Sequence, residues 1–288
     1  MGASCCRDFN KEFDSDLTEF VVTPKERDNF CRGPKELGIK RYRALMAWFW
    51  TAFTLWVLIE RFSKDGWYAM RVFIMLPYWQ IIEVCVYFWL ALYISDDDDE
   101  DEPDQHPVDA LGPPRYIGDV NPGGDEGGEI VYAEPAGNDD PFLPIEYREL
   151  PECETQCWIH MNIAYTVSFM VMILFWTLIY EGWIPKAEDF FLHGTPFTFV
   201  AIDVFFSGVP FRYLHVWLPM YYLFIYFSIA IVYNYCSGDI IYSVMDYRHR
   251  PVLLLLPVFI ICVLVPVFQT ILWAYKRMGL QSTGLGAQ

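Results

Sequence analysis

Basic residues are scarce in this sequence, and nearly all of the shortage falls in one segment. The chain has 37 Asp or Glu against 20 Lys or Arg, which gives a formal net charge of −17 over 288 residues. Residues 95–157 contain 20 of the acidic residues and only two bases, Arg115 and Arg148, a balance of −18. The rest of the chain is almost neutral, so the acidity describes one loop and not a whole-protein preference for basic partners.

The acidic segment also has few large apolar residues and many Pro and Gly residues. Such a composition buries too little apolar surface to offset the entropy of ordering, so we expect a disordered loop at 95–157. The segment lacks the D-x-D-x-D-G order of a calcium-binding loop. A solvated loop is therefore favoured over a calcium site, and a basic protein partner for the loop stays open.

Two further absences bear on processing and on compartment. The eight cysteines do not form the regular pattern of a disulfide framework; they stand at positions 5, 6, 31, 85, 153, 157, 236 and 262. Residues 1–43 mix charges and have no apolar core. We therefore expect no cleavable signal peptide, and we expect the first membrane segment to direct insertion.

The sequence has long apolar runs, and 54% of its residues are hydrophobic and 18% are aromatic. This pattern predicts an all-α fold, a polytopic transmembrane helical bundle. The six predicted spans cover 44–59, 72–94, 158–180, 190–207, 213–235 and 252–275. Residues 1–43 then form an N-terminal tail, residues 95–157 connect the second and third spans, and residues 276–288 form a C-terminal tail.

An even number of spans places both termini on the same side of the membrane. With the termini inside, the cytoplasmic segments carry 14 Lys or Arg and the opposite side carries 6. The positive-inside rule therefore predicts cytoplasmic termini and a cytoplasmic acidic loop.

The N-terminus, MGASCC, offers lipidation candidates. Gly2 is a candidate for myristoylation after removal of Met1, although the usual pattern has Ser or Thr where this chain has Cys6. Cys5 and Cys6 are candidates for palmitate. The alternative is a plain cytosolic tail with free thiols.

Ionisable residues are concentrated in the apolar stretch from Asp189 to His215. His193, Asp203, Arg212 and His215 lie within it, and each such group costs about 2.5–3.5 kcal/mol at membrane depth on insertion scales. Such residues are either functional or tie neighbouring helices together, and the sequence leaves both interpretations open.

Helical spacing excludes a local acid–base dyad in this stretch. His193 and Asp203 are ten residues apart, which on a straight helix is about 15 Å along the axis and about 80° around it. Each therefore needs a partner on another helix. In the predicted topology His193 lies level with Pro77 of the second span and Asp203 lies nearer Glu83.

Three further features carry candidate chemistry. Arg212 is expected to pair with Asp203 across the SGVP turn at 207–210 or to bind a lipid phosphate. Pro77 is expected to kink the second span, and Glu83 is a buried carboxylate that needs a polar partner. Cys153, Cys157 and His160 are metal-compatible, but their C-x3-C-x2-H spacing is not a standard zinc pattern, so reduced or palmitoylated thiols are favoured and no metal site is predicted.

The spans resemble the rolling stone family of multi-pass membrane proteins, which is named for an insect protein implicated in myoblast fusion. The resemblance covers residues 44–275 and rests on HGTPFTFVAID, PFRYLH, PMYYLFIYFS and IYSVMDY. The matching positions are His193, Asp203, Pro210, Arg212, His215, Pro219, Tyr242 and Asp246. The resemblance implies a plasma-membrane protein with a role in cell-surface or membrane-fusion processes.

More distantly, the chain is similar to the androgen-induced family of intramembrane hydrolases. Those enzymes cleave fatty-acid esters with a Thr nucleophile and a His on separate helices, and His193 corresponds to that His. The nucleophile position falls in Leu76-Pro77-Tyr78-Trp79, where this chain has Pro77, which has no nucleophilic atom. Thr51, Thr54, Thr195 and Thr198 remain as substitutes.

Three functional hypotheses follow. The first is a rolling-stone-like membrane protein without hydrolase activity; the second is an intramembrane lipid-ester hydrolase that uses His193 with a relocated hydroxyl. The third, a channel or transporter lined by Glu83 and Asp203, ranks lower because the sequence shows no repeat symmetry. We expect membrane lipids as partners, no nucleic acid and no cofactor.

Overall fold

The computed structural model describes residues 21–22, 38–96, 148–180, 182, 184–206 and 211–282. Its helices are α1 Ile39–Asp65, α2 Leu76–Asp96, α3 Glu152–Leu174, α4 Ala187–His193, α5 Thr195–Phe206, α6 Trp217–Ser237, α7 Leu255–Phe259 and α8 Val265–Ser282. Two short strands, β1 Val21–Val22 and β2 Arg148–Glu149, pair antiparallel. The predicted all-α fold is confirmed.

Tighter and wider helical turns join these elements. The 3₁₀ turns are Gly66–Ile74, Tyr213–Val216, Ser243–Met245 and Pro251–Leu254. Two π-helical turns, Phe175–Ile179 and Ile260–Leu264, extend α3 and connect α7 to α8. The second π turn precedes Pro266, which has no N–H to donate to the carbonyl of Cys262 four residues earlier.

The chain is a multi-pass membrane protein by the length and hydropathy of its helices. Five segments are long and apolar enough to cross a membrane: Ile39–Lys64, Leu76–Ser95, Glu152–Ile179, Tyr213–Ser237 and Pro251–Tyr275. Helices α4 and α5 together form a sixth candidate span, bent by 41°. Each predicted span thus corresponds to one segment, and the cytoplasmic position of the termini stays a prediction.

Two ion pairs indicate that the bent pair α4–α5 crosses the bundle. Glu188, at the start of α4, accepts a hydrogen bond of 2.9 Å from Arg61 near the end of α1. Asp203, near the end of α5, pairs at 3.0 Å with Arg43 near the start of α1. The bent pair therefore runs antiparallel to α1 over most of its length.

The break between α4 and α5 follows from Pro196. This residue has no N–H for the carbonyl of Leu192, and its ring crowds that turn, so the helix bends at Gly194. The straight helix assumed between His193 and Asp203 was wrong for this reason.

The kink expected at Pro77 was also wrong. Helix α2 begins at Leu76, so Pro77 lies in its first turn, where a backbone N–H has no intrahelical partner in any case. The predicted second span began at 72, but residues 66–74 form the preceding 3₁₀ turn. Pro219 likewise lies in the first turn of α6.

Helices α2 and α3 form the centre of the bundle. In each of them 56% of the most apolar window is buried inside the protein, against 22% in Pro251–Tyr275. Helix α3 begins at Glu152, six residues before the predicted boundary, and α1 begins at Ile39, five residues before its predicted boundary. These extensions bring Arg43, Cys153 and Cys157 into membrane-spanning helices.

Several predictions fall on residues outside the described part of the chain. They are the lipidation candidates Gly2, Cys5 and Cys6, most of the acidic loop, and the SGVP turn with Pro210.

Candidate functional site

His193, which the sequence suggested as the candidate catalytic base, lies beside a small cavity. His193 is the last residue of α4 and is 8% exposed. Its ring stacks on Phe175, with centroids 3.6 Å apart and planes inclined by 9°. The stacking fixes the ring plane, and Nδ1 has no hydrogen-bond partner among the described residues.

This cavity, which we call the His193 cavity, has a volume of about 40 Å³. Its wall is formed by the first turn of α2, both π turns, and the segment before α7. The lining residues are Leu76, Pro77, Val171, Leu174, Phe175, Leu178, Ile179, His193, Phe227, Tyr242, Val244, Met245, Leu256 and Ile260.

Pro77 and His193 line the same cavity, as their predicted depths required. Among the described residues, the lining contains no Ser, Thr or Cys side chain, and its one hydroxyl belongs to Tyr242. A base with no Ser, Thr or Cys beside it lacks the usual nucleophile to activate.

The four substitute threonines lie away from this wall. None of them is a lining residue of the His193 cavity. Three of them donate to the backbone carbonyl four residues earlier in the chain, namely Thr51, Thr195 and Thr198. The Thr54 hydroxyl is buried in α1 without a partner among the described residues.

Asp203 lies in a second, separate group of buried side chains, the Asp203 cluster. Arg43 from α1 binds both of its carboxylate oxygens, through Nε at 3.0 Å and an Nη at 3.3 Å. Tyr87 of α2 donates its hydroxyl to the same carboxylate. Arg43 also donates to the Ser95 hydroxyl at 2.7 Å, and Arg43 and Asp203 are both completely buried.

Sequence reasoning missed Arg43, because the first span was drawn from residue 44. The signal that would have found it is length. A 16-residue helix covers about 24 Å, whereas the hydrocarbon core is about 30 Å thick, so the span needed roughly one more turn.

Arg212 and His215 do not bind Asp203, so the expected Arg212–Asp203 pair was wrong. Asp203 already has Arg43 as its cation. Arg212 instead lies over the ring of Trp158 at 5.8 Å, and His215 packs edge-on against the same ring with centroids 4.8 Å apart. Trp158 of α3 thus holds the segment before α6 through a cation–π and an aromatic contact.

Glu83 finds its polar partner on α3. His160 Nδ1 lies 2.6 Å from a Glu83 carboxylate oxygen, and the two side chains are 27% and 10% exposed. His160 thus bonds Glu83 and not the cysteines near it in the sequence. Cys157 is completely buried, whereas Cys153 is exposed. Among the described residues no group of three metal-ligating side chains is formed.

Asp246 lies in the connection between α6 and α7, outside the spans. Its carboxylate accepts hydrogen bonds from the backbone and from the ring Nδ1 of His249, the latter at 2.8 Å. The hydrogen bond from the His249 ring lowers the pKa of the Asp246 carboxyl below its usual range. Asp246 therefore shapes this connection and does not reach the His193 cavity, of which it is not a lining residue.

Comparison with protein-family models, with curated proteins and with solved structures finds no match to this chain.

Proposed function

We propose that the chain is a rolling-stone-like protein of the plasma membrane that has no hydrolase activity and acts in cell-surface or membrane-fusion processes. One observation carries the negative part of this proposal. His193 and Pro77 line one cavity, and the described residues of its lining include no Ser, Thr or Cys. The two buried carboxylates support it, because Asp203 and Glu83 are each bound to a partner on another helix.

A fluorophosphonate activity probe tests this proposal. Membranes that contain the full-length protein are treated with the probe, and we expect no labelling of the protein. Labelling that disappears in His193→Ala would overturn the proposal.

Ester hydrolysis remains as a second candidate function because of Tyr242. Tyr242 lines the same cavity as His193, and among the described lining residues it alone carries a hydroxyl. If the protein acts as a lipid-ester hydrolase with a relocated nucleophile, the probe labels the wild type but neither Tyr242→Phe nor His193→Ala. Thr198→Val is the matched control, because that hydroxyl bonds the Gly194 carbonyl and lies off the cavity wall.

The plasma-membrane assignment has a test of its own. On intact cells, a membrane-impermeant amine-reactive reagent labels only protein that has reached the cell surface. We expect this protein to be labelled. Retention of all of the protein in internal membranes would contradict this part of the proposal.

A further inference from the structure

Four buried polar residues follow one side of α2. They are Gln80, Glu83, Tyr87 and Ser95. Their spacing of three, four and eight residues places them along one face of the helix over about 22 Å. That is roughly three quarters of a 30 Å hydrocarbon core. We call this row the polar stripe of α2.

Titratable side chains from three other helices meet the stripe. His160 of α3 bonds Glu83 at 2.6 Å, and Asp203 of α5 accepts a hydrogen bond from Tyr87. Arg43 of α1 donates to Ser95 at 2.7 Å. A hydrophobic seam would have sufficed to hold these helices together, so a row of ionisable groups at this depth points to a function.

The Glu83–His160 pair and the Asp203 cluster follow each other closely along the α2–α3 interface. Helices α2 and α3 are antiparallel, so the turn from Glu83 to Tyr87 runs beside the turn from His160 back to Cys157. Cys157 lies within the electrostatic reach of Arg43 and Asp203, which places that turn at the cluster. The two groups are therefore about one helical turn apart, a separation of about 6 Å along the axis of α2, which is the span of one bridging water.

Gln80 extends the row towards the His193 cavity. Both of its amide atoms are completely buried and lack partners among the described residues. An amide both donates and accepts, so one water molecule at this position would satisfy both atoms. Pro77, one turn earlier on the same side of α2, already lines the cavity, where His193 Nδ1 also lacks a described partner.

We propose that the polar stripe of α2 transfers protons through the bundle, between the His193 cavity and the Ser95 end. A proton taken from water at the cavity passes Gln80 through a bound water and is received by the Glu83–His160 pair. It leaves through the Tyr87 hydroxyl to the Asp203 carboxylate and from there to water at the Ser95 end, while Arg43 keeps its own protons throughout. Only O–H and N–H bonds form and break, each group returns to its starting state, and the proton gradient or membrane potential drives the movement.

The surroundings of the stripe favour protons over larger ions. The guanidinium of Arg43 and the carboxylate of Asp203 bind each other through two contacts, so the pair has no net charge to repel a proton. Gln80, Tyr87 and Arg43 have no exposed surface, which leaves no passage for a hydrated cation. Three further described titratable side chains interact electrostatically with the groups of the stripe and the Asp203 cluster: Tyr222 of α6 with Glu83, Tyr42 of α1 with Asp203, and Cys157 of α3 with Tyr87 and Asp203.

Proton flux into liposomes tests the proposal, which does not depend on the absence of ester hydrolysis. Full-length protein is reconstituted into phosphatidylcholine liposomes that contain a pH-sensitive dye, and a potassium gradient with valinomycin makes the interior negative. Glu83→Gln keeps the shape of the side chain and its hydrogen bond to His160 but removes the proton acceptor. Glu188→Gln is the matched control, because Glu188 is in an ion pair with Arg61 at a helix end away from the stripe.

We expect the wild type and Glu188→Gln to acidify the liposomes several times faster than protein-free liposomes, and Glu83→Gln to fall to the protein-free rate. A wild-type rate equal to the protein-free rate overturns the proposal, and so does a Glu83→Gln rate equal to the wild-type rate. If Glu83→Gln elutes as an aggregate, His160→Gln replaces it with the same two outcomes.

Discussion

At the residue scale, the ion pairs of this protein are of two kinds, buried inside the bundle and exposed at helix ends. The Arg43–Asp203 pair has no exposed surface, whereas the Lys64–Glu60 pair at the end of α1 is 66% and 26% exposed. An exposed pair is screened by water and contributes little, while the loss of one partner from a buried pair leaves an uncompensated charge. The two kinds of ion pair should therefore respond very differently to neutralisation.

We predict that Asp203→Asn destabilises the protein by about 3–5 kcal/mol, because Arg43 is then left buried without its counter-charge. Thermal unfolding of the detergent-solubilised protein measures the effect. Glu60→Gln removes a carboxylate of the same chemistry at the surface and should leave the melting temperature unchanged. An Asp203→Asn protein that melts with the wild type would show that Arg43 is neutralised by another group.

The sequence indicated which charges need partners but not which partners they have. Glu83 and Asp203 are recognisable as costly wherever they occur in an apolar run. Their partners, His160 and Arg43, lie 77 and 160 residues away in the chain. Such pairings depend on helix packing and on the exact ends of α1 and α3, which hydropathy alone does not determine.

At the element scale, proline marks where the helices change but not how. Each proline lacks an N–H, and the effect depends on its position in the helix. Pro77 and Pro219 lie in first turns and interrupt nothing, Pro196 breaks α4 from α5, and Pro266 follows a π turn. The six spans could be predicted from apolar length. The 41° bend at Gly194 was missed because the run from 190 to 207 was read as one straight helix, although Pro196 within it is the signal that would have found the bend.

Gly238, at the end of α6, provides a second prediction at this scale. Its φ of 74° is left-handed, its N–H bonds the carbonyl of Asn234, and a Cβ there would lie 3.1 Å from Arg248 Nη1. Gly38 has a similar φ of 59° but open space around it. We expect Gly38→Ala to cost about 1–2 kcal/mol through backbone strain, and Gly238→Ala to cost more because Arg248 must also move.

Thermal unfolding of the two glycine variants measures this difference. Gly238→Asn should lose less stability than Gly238→Ala, because Asn adopts the left-handed conformation more readily. Equal melting temperatures for Gly38→Ala and Gly238→Ala would show that Arg248 moves aside at no cost.

At the scale of the whole molecule, contacts between connections define one face of the bundle. Arg71, before α2, pairs at 2.6 Å with Asp239, after α6, and Arg61 pairs with Glu188 at the start of α4. The connections after the first, third and fifth crossings therefore lie together. The start of α1, the end of α2, the start of α3 and the end of α8 belong to the opposite face, since the helices alternate in direction.

The charge distribution predicts that this opposite face is cytoplasmic. Glycosylation acceptor tags report the side directly, because only a tag in the lumen of the secretory pathway is modified. We expect a tag within residues 97–147 to remain unmodified and a tag in the connection 238–250 to be modified. Modification within 97–147 would invert the orientation. It would also place the His193 cavity on the cytoplasmic side, since its wall includes Tyr242, Val244 and Met245 of the connection 238–250.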